Sequence, residues 1–250
     1  MKIRIFLTAI LALLITCVAF RSAVQFQPIA VIELFTSQGC SSCPSADRLL
    51  SRTINDAKVN GKKIFALSFH VDYWNRLGWR DPFSSMEYSQ RQSEYASLMN
   101  LNSVYTPQMI VNGSHELIGS DEGNLKDAIR ESLQATPEAA FKTLSATIQN
   151  ANPPSLKYSL NGNYTNCKIN FALVSLTETT YIKKGENGGL TLTNENVVRQ
   201  FVSVPATKEG EISFKSSPVP LVNNLAIVAY IQNLNDSKII GAASAEIIEK

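Results

Sequence analysis

From Ile29 to Thr36 the chain reads IAVIELFT, apolar at all but two positions and rich in β-branched side chains, as a strand buried on both faces requires. The next stretch, CSSCPSADRLLSRTI, changes period: Ala46, Leu49, Leu50, Thr53 and Ile54 recur at helical spacing along one side. KKIFALSFHVDYW then supplies a second buried strand, and between Ser84 and Leu101 the residues Tyr88, Tyr95 and Met99 mark a second helix. SVYTPQMIVNG reads as a strand entered through a proline and HELIGS as its hairpin partner. DEGNLKDAIRESLQAT reads as a closing helix with Leu125, Ala128, Ile129 and Leu133 on one side. This alternation predicts a small α/β domain over residues 24–136.

Past Pro137 helical periodicity fades. In CKINFALVSL, Cys167, Ile169, Phe171 and Leu173 alternate with Lys168, Asn170 and Ala172, and NPPS, NGN, ENGG, KEGE and NLNDS punctuate the remaining strands. Seven or eight short strands in about 110 residues predict an all-β, sandwich-like domain over residues 137–250.

At 44% hydrophobic and 18% charged residues, the chain has the composition of a globular protein with a sizeable core. Its first residues, MKIRIFLTAILALLITCVAF, place Lys2 and Arg4 before an uncharged apolar run, the pattern of a secretory leader over residues 1–23. Cys17 in LLITC admits a second reading, a lipidated cysteine; without it no membrane contact is expected. Removing residues 1–23 takes away three basic side chains and no acid, so the formal charge falls from +2 to −1. A near-neutral chain without a basic run gives no support for nucleic-acid binding. The expected location is periplasmic or secreted, where disulfides persist. Beyond the leader only Cys40, Cys43 and Cys167 remain, an odd number that argues against a framework of structural bridges.

Cys40 and Cys43 stand where a strand gives way to a helix. Unpaired amides and the positive end of the helix dipole favour a thiolate there, so Cys40 is expected to be the exposed, acidic sulfur and Cys43 its covered, resolving partner. A zinc site would need two more ligands, and no second Cys-x-x-Cys exists. A structural disulfide closing so small a loop would constrain the unfolded chain little. Glu33, an acid in a buried strand, either faces solvent or accepts the proton of Cys43. Pro107 is either an ordinary edge-strand proline or a cis-proline that frees the Thr106 backbone to pair with an extended substrate.

The order of strand, Cys-x-x-Cys, helix, strand, helix, proline-led strand, hairpin and helix resembles the thioredoxin fold. More closely, ELFTSQGCSSCPSAD, LSFHVDYWNRLGWRDPF, RQSEYA and VYTPQMIVNG, with NVVRQF, IVAYIQ and IIGAA, are similar to a secreted, thioredoxin-like family catalogued as domain of unknown function 1223. The resemblance implies an α/β thioredoxin-like domain followed by an all-β domain, and export, but no substrate.

His70 is either a hydrogen-bonded structural group or, with Cys40 and Cys43, the third member of a soft copper-binding set. The loop VDYWNRLGWRDPF, with Asp72, Trp74, Trp79 and Asp81, either walls a substrate groove over Cys40 or packs locally on itself. Cys167 reads as a buried, inert thiol. Three functions follow. One is a cofactor-free thiol-disulfide oxidoreductase in which Cys40, Cys43 and Glu33 do the chemistry, Thr106, Pro107, Trp74 and Trp79 hold the substrate, and exported protein thiols or disulfides and a redox partner are the reactants. The others are a copper-delivery module and a binding protein with a structural disulfide.

Overall fold

The computed structural model describes residues 26–148, 153–215 and 224–249. The expected leader, its cleavage site and Cys17 lie outside the described residues. In chain order the elements are β1 (Ala30–Thr36), α1 (Cys43–Val59), β2 (Ile64–His70), a short 3-10 turn (Asn75–Leu77), α2 (Met86–Leu98), β3 (Gln108–Val111), β4 (His115–Ile118) and α3 (Glu122–Ser132). The strands β5 (Ala139–Ile148), β6 (Ser155–Gly162), β7 (Cys167–Tyr181), β8 (Thr191–Pro205), β9 (Glu209–Ser213), β10 (Leu225–Asn233) and β11 (Ile239–Glu249) follow.

Helix boundaries follow local chemistry. Pro44 sits in the first turn of α1, where its missing N–H has no intrahelical partner. Ser85 caps α2 by accepting the Glu87 N–H, and Asp121 caps α3 by accepting that of Asn124.

The strands form one 11-stranded sheet in the order β4-β3-β1-β2-β8-β7-β10-β11-β5-β6-β9. This corrects the expectation of a thioredoxin-like domain followed by a separate sandwich. The sheet crosses the expected boundary without a break because β8 pairs in parallel with β2, Ser68 opposite Val197. Nor do β7 and β8 behave as short sandwich strands: each runs 15 residues, and they pair antiparallel along most of that length.

Alternation along β1 sorts the core. Ala30, Ile32 and Leu34 face α1 and α3, where they meet Ala46, Leu49, Leu50, Leu125, Ala128 and Ile129. Val31 and Phe35 face the other way, into a cluster with Tyr88 and Tyr95 of α2 and with Val174, Val198, Val228 and Tyr230 from the long strands. The opposite face of β7 and β10, through Ile169, Phe171, Ile227 and Ala229, packs on Leu156 and Tyr158 of β6. Because β7 is covered on both sides, Asn170 is fully buried rather than solvent-facing. Among the described residues, no helix is long and apolar enough to cross a membrane.

Candidate functional site

The chain leaves β1 at Thr36 through a tight turn. The Ser37 carbonyl accepts the Cys40 N–H, the Ser37 hydroxyl accepts the Gly39 N–H, and the Cys40 carbonyl accepts the Cys43 N–H. The turn sets Cys40 and Cys43 with Cα atoms 5.4 Å apart at the start of α1, joined as a disulfide. Opposite lies the backbone before β3: the Thr106–Pro107 bond is cis, and the Thr106 carbonyl oxygen is 3.9 Å from Cys40 Sγ. In the disulfide that sulfur has no proton to donate, so the approach is a contact rather than a hydrogen bond. The Ser42 hydroxyl donates to the same sulfur at 3.3 Å.

Both tryptophans reach this end of the sheet. Trp74 donates from Nε1 to the Thr106 hydroxyl at 2.7 Å, and Trp79 donates from Nε1 to Gln38 Oε1 at 3.3 Å. The loop VDYWNRLGWRDPF therefore joins the cysteine turn to the proline strand.

Two expectations are corrected here. First, Cys40 is not exposed: both cysteines have 0% of their surface open to solvent. The cover comes from the turn between β7 and β8. The Asn187 amide donates 2.9 Å bonds to both the Gln38 and Cys40 carbonyls, and the Glu186 carboxylate accepts the Ser41 N–H at 3.0 Å. Second, Glu33 does not serve the cysteine pair. By the two-residue period of β1 it shares the face of Val31 and Phe35, away from α1. There its carboxylate takes a two-pronged bond from Arg91, at 2.6 and 2.9 Å, and a third from the Tyr95 hydroxyl.

The acid on the cysteine side is Asp47, four residues beyond Cys43 on α1. It is buried and accepts the Thr36 hydroxyl at 3.0 Å. Thr36 stands opposite His70 in the pairing of β1 with β2. His70 Nδ1 bonds Asp81 Oδ2 at 2.7 Å with both side chains fully buried, and Asp81 also accepts the Gln38 and Phe83 N–H groups. Burial pushes the Asp47 carboxyl up to about 6, against the opposing pull of His70 and Thr36. Burial alone would lower His70, but the charge and hydrogen bond of Asp81, with the charge of Asp47, outweigh it and raise it. Asp81 is held low, since the attraction of His70 and three hydrogen bonds overcome its burial.

His70 is thus engaged by Asp81, and the copper set is not assembled. The two sulfurs are bonded to each other, and among the described residues no group of three His, Cys, Asp or Glu side chains could hold a metal ion. Cys167 is a buried free thiol whose acidity burial suppresses first, with Glu138 and Asp236 adding to it. Sequence reasoning missed Asp47 and Asn187. A signal existed for Asp47, a charged residue in the apolar stripe of α1 one turn from Cys43; for Asn187 there was none.

The family model described as "Protein of unknown function (DUF1223)" matches residues 31–232. Among solved structures, the chain is similar to a protein from Agrobacterium tumefaciens known by X-ray crystallography. Identity is 28% and the TM-score 0.64, over 89% of this chain and 96% of that one. A domain of the outer membrane lipoprotein Omp28 from Porphyromonas gingivalis matches at 11% identity and a TM-score of 0.28, over 46% of this chain and 91% of its own. A score that low carries no argument. No curated protein matches the chain.

Proposed function

The chain belongs to the DUF1223 family, whose description names no activity, and from that premise we propose that it is an exported thiol-disulfide oxidoreductase acting on protein thiols. The observation that carries this reading is the placement of the Cys40–Cys43 disulfide at the start of α1 with the Thr106 carbonyl 3.9 Å from Cys40 Sγ. A substrate thiolate attacks Cys40, the Cys40–Cys43 bond breaks, and Cys43 leaves with the electron pair. A second substrate thiolate then releases the substrate as a disulfide and leaves the pair reduced. Thr106 and Pro107 border the attacked sulfur, and Trp74 positions Thr106. Export rests on the charged and apolar pattern of residues 1–23 and on the compartment in which such a disulfide persists. An exported redox partner resets the pair.

The complete burial of both cysteines favours a second reading, a binding protein in which the disulfide is a staple. A trapping experiment separates the two. Cys43→Ala, expressed with its leader, is expected to accumulate mixed disulfides through Cys40 that dithiothreitol releases and that vanish when Cys40 is also replaced. If Cys43→Ala folds, stays monomeric and carries no partner, the staple reading stands and the oxidoreductase reading falls.

A further inference from the structure

We propose that Asp47 holds and releases the proton of Cys43, an inference that rests on the thiol-disulfide reading above. Residues four apart on a helix are neighbours, with Cβ atoms about 5–6 Å apart, so Cys43 and Asp47 share one face of α1. Both are buried, so the carboxyl and the sulfur are helix neighbours away from bulk solvent. Glu33 is on the other face of β1 and fully engaged with Arg91.

Every element packed around Asp47 contributes a group: Thr36 from β1, His70 from β2, Asp81 from the loop after the 3-10 turn, and Asn194 from β8. Arg199, also on β8, acts on His70 and is itself paired with Glu178. Two buried polar atoms in this group have no partner, His70 Nε2 and Asn194 Nδ2. Buried polar atoms are normally satisfied, and such exceptions call for an explanation. Here a neighbouring carboxyl that changes charge during the reaction supplies one, since the Asn194 side chain and the charge of His70 both act on Asp47 and favour its carboxylate.

The step balances. When Cys43 resolves a mixed disulfide at Cys40, its proton passes to the Asp47 carboxylate and its electron pair forms the Cys43–Cys40 bond. The Cys40–substrate bond breaks, and the substrate sulfur leaves as a thiolate. In the reverse direction the protonated Asp47 returns that proton to Cys43 as it leaves.

The test uses reduced full-length protein carrying Cys17→Ala and Cys167→Ala, and the aromatic disulfide dithiobis-nitrobenzoate. Attack by Cys40 releases a first coloured thiolate, and displacement by Cys43 releases a second; Cys43→Ala identifies the second phase by abolishing it. Asp47→Asn is expected to leave the first phase within about twofold and to slow the second about a hundredfold near neutral pH, the lower end of general-base effects. The pH midpoint of the second phase should move up toward that of a free thiol, about 8.5. Thr36→Val, of nearly the same shape, removes a bond that favours the Asp47 carboxylate and should raise the wild-type midpoint. An unchanged rate and midpoint in folded Asp47→Asn overturns the proposal; should that variant not fold, an unmoved midpoint in Thr36→Val does so. Absence of the first phase in otherwise wild-type protein overturns the redox reading itself, and this inference with it.

Discussion

The two faces of β1 carry two buried polar clusters of opposite character. On the α2 side, Glu33, Arg91, Tyr95, Tyr230 and Gln232 form a network in which every buried side-chain nitrogen and oxygen has a partner. The Arg91 guanidinium also lies over the ring of Phe201, 4.7 Å from its centroid. On the α1 side, Thr36, Asp47, His70, Asp81 and Asn194 form a network with two unpartnered atoms and a carboxyl pushed up to about 6. A fully paired ionic network specifies and rigidifies a core; one that keeps a carboxyl near its titration midpoint and leaves donors unpaired gives up stability where protons have to move. The cysteine pair sits on the second.

The sharpest way to break this comparison is to remove a partner from the paired side. Arg91→Ala strands the Glu33 carboxylate in the core and should destabilise the protein by about 3–5 kcal/mol in urea unfolding. Neutralising the buried carboxyl on the other side has the opposite sign. The Asp47 carboxyl lies near 3.8 in the unfolded chain and about 6 in the folded one, so the folded state binds the proton more tightly. Its stabilising contribution is complete below the unfolded value and is lost as pH rises through about 6. Asp47→Asn, which keeps an acceptor for Thr36, should therefore raise stability by about 1–3 kcal/mol at neutral pH and by little in acid.

The difference between the clusters was only partly legible in the sequence. The β1–α1–β2 unit and the β3–β4 hairpin with α3 follow the hydrophobic period closely, because each is a local element with one strong apolar face. What escaped is non-local. The pairing of β2 with β8 joins residues far apart in the chain, and period alone does not say which exposed strand edge a distant strand will find. Glu33 was recognisable as a buried acid, yet its face follows from counting twos along β1: Thr36, not Glu33, points at α1. The burial of Cys40 depends on Asn187, 147 residues later, and on a turn whose sequence, KKGENGG, reads as an ordinary hairpin connection.

That cover sets the third test. Asn187→Ala removes two hydrogen bonds that seat the turn on the cysteines, which should cost about 1–2 kcal/mol. It should also speed reduction of the disulfide by a small phosphine; an unchanged rate would mean the turn does not guard the sulfurs. The smallest effect belongs to Cys167, a small apolar group in a third cluster: Cys167→Ala should cost about 1 kcal/mol and leave the chemistry of the pair untouched.

The central claim is that the Cys40–Cys43 bond is made to be exchanged. Equilibrating the oxidised protein in thiol buffers of graded potential and counting free thiols by alkylation tests it most directly. An exchanging pair is expected to be half reduced between about −120 and −270 mV, the span of dithiol oxidoreductases. A pair that stays oxidised below about −300 mV, as structural disulfides do, would contradict the account.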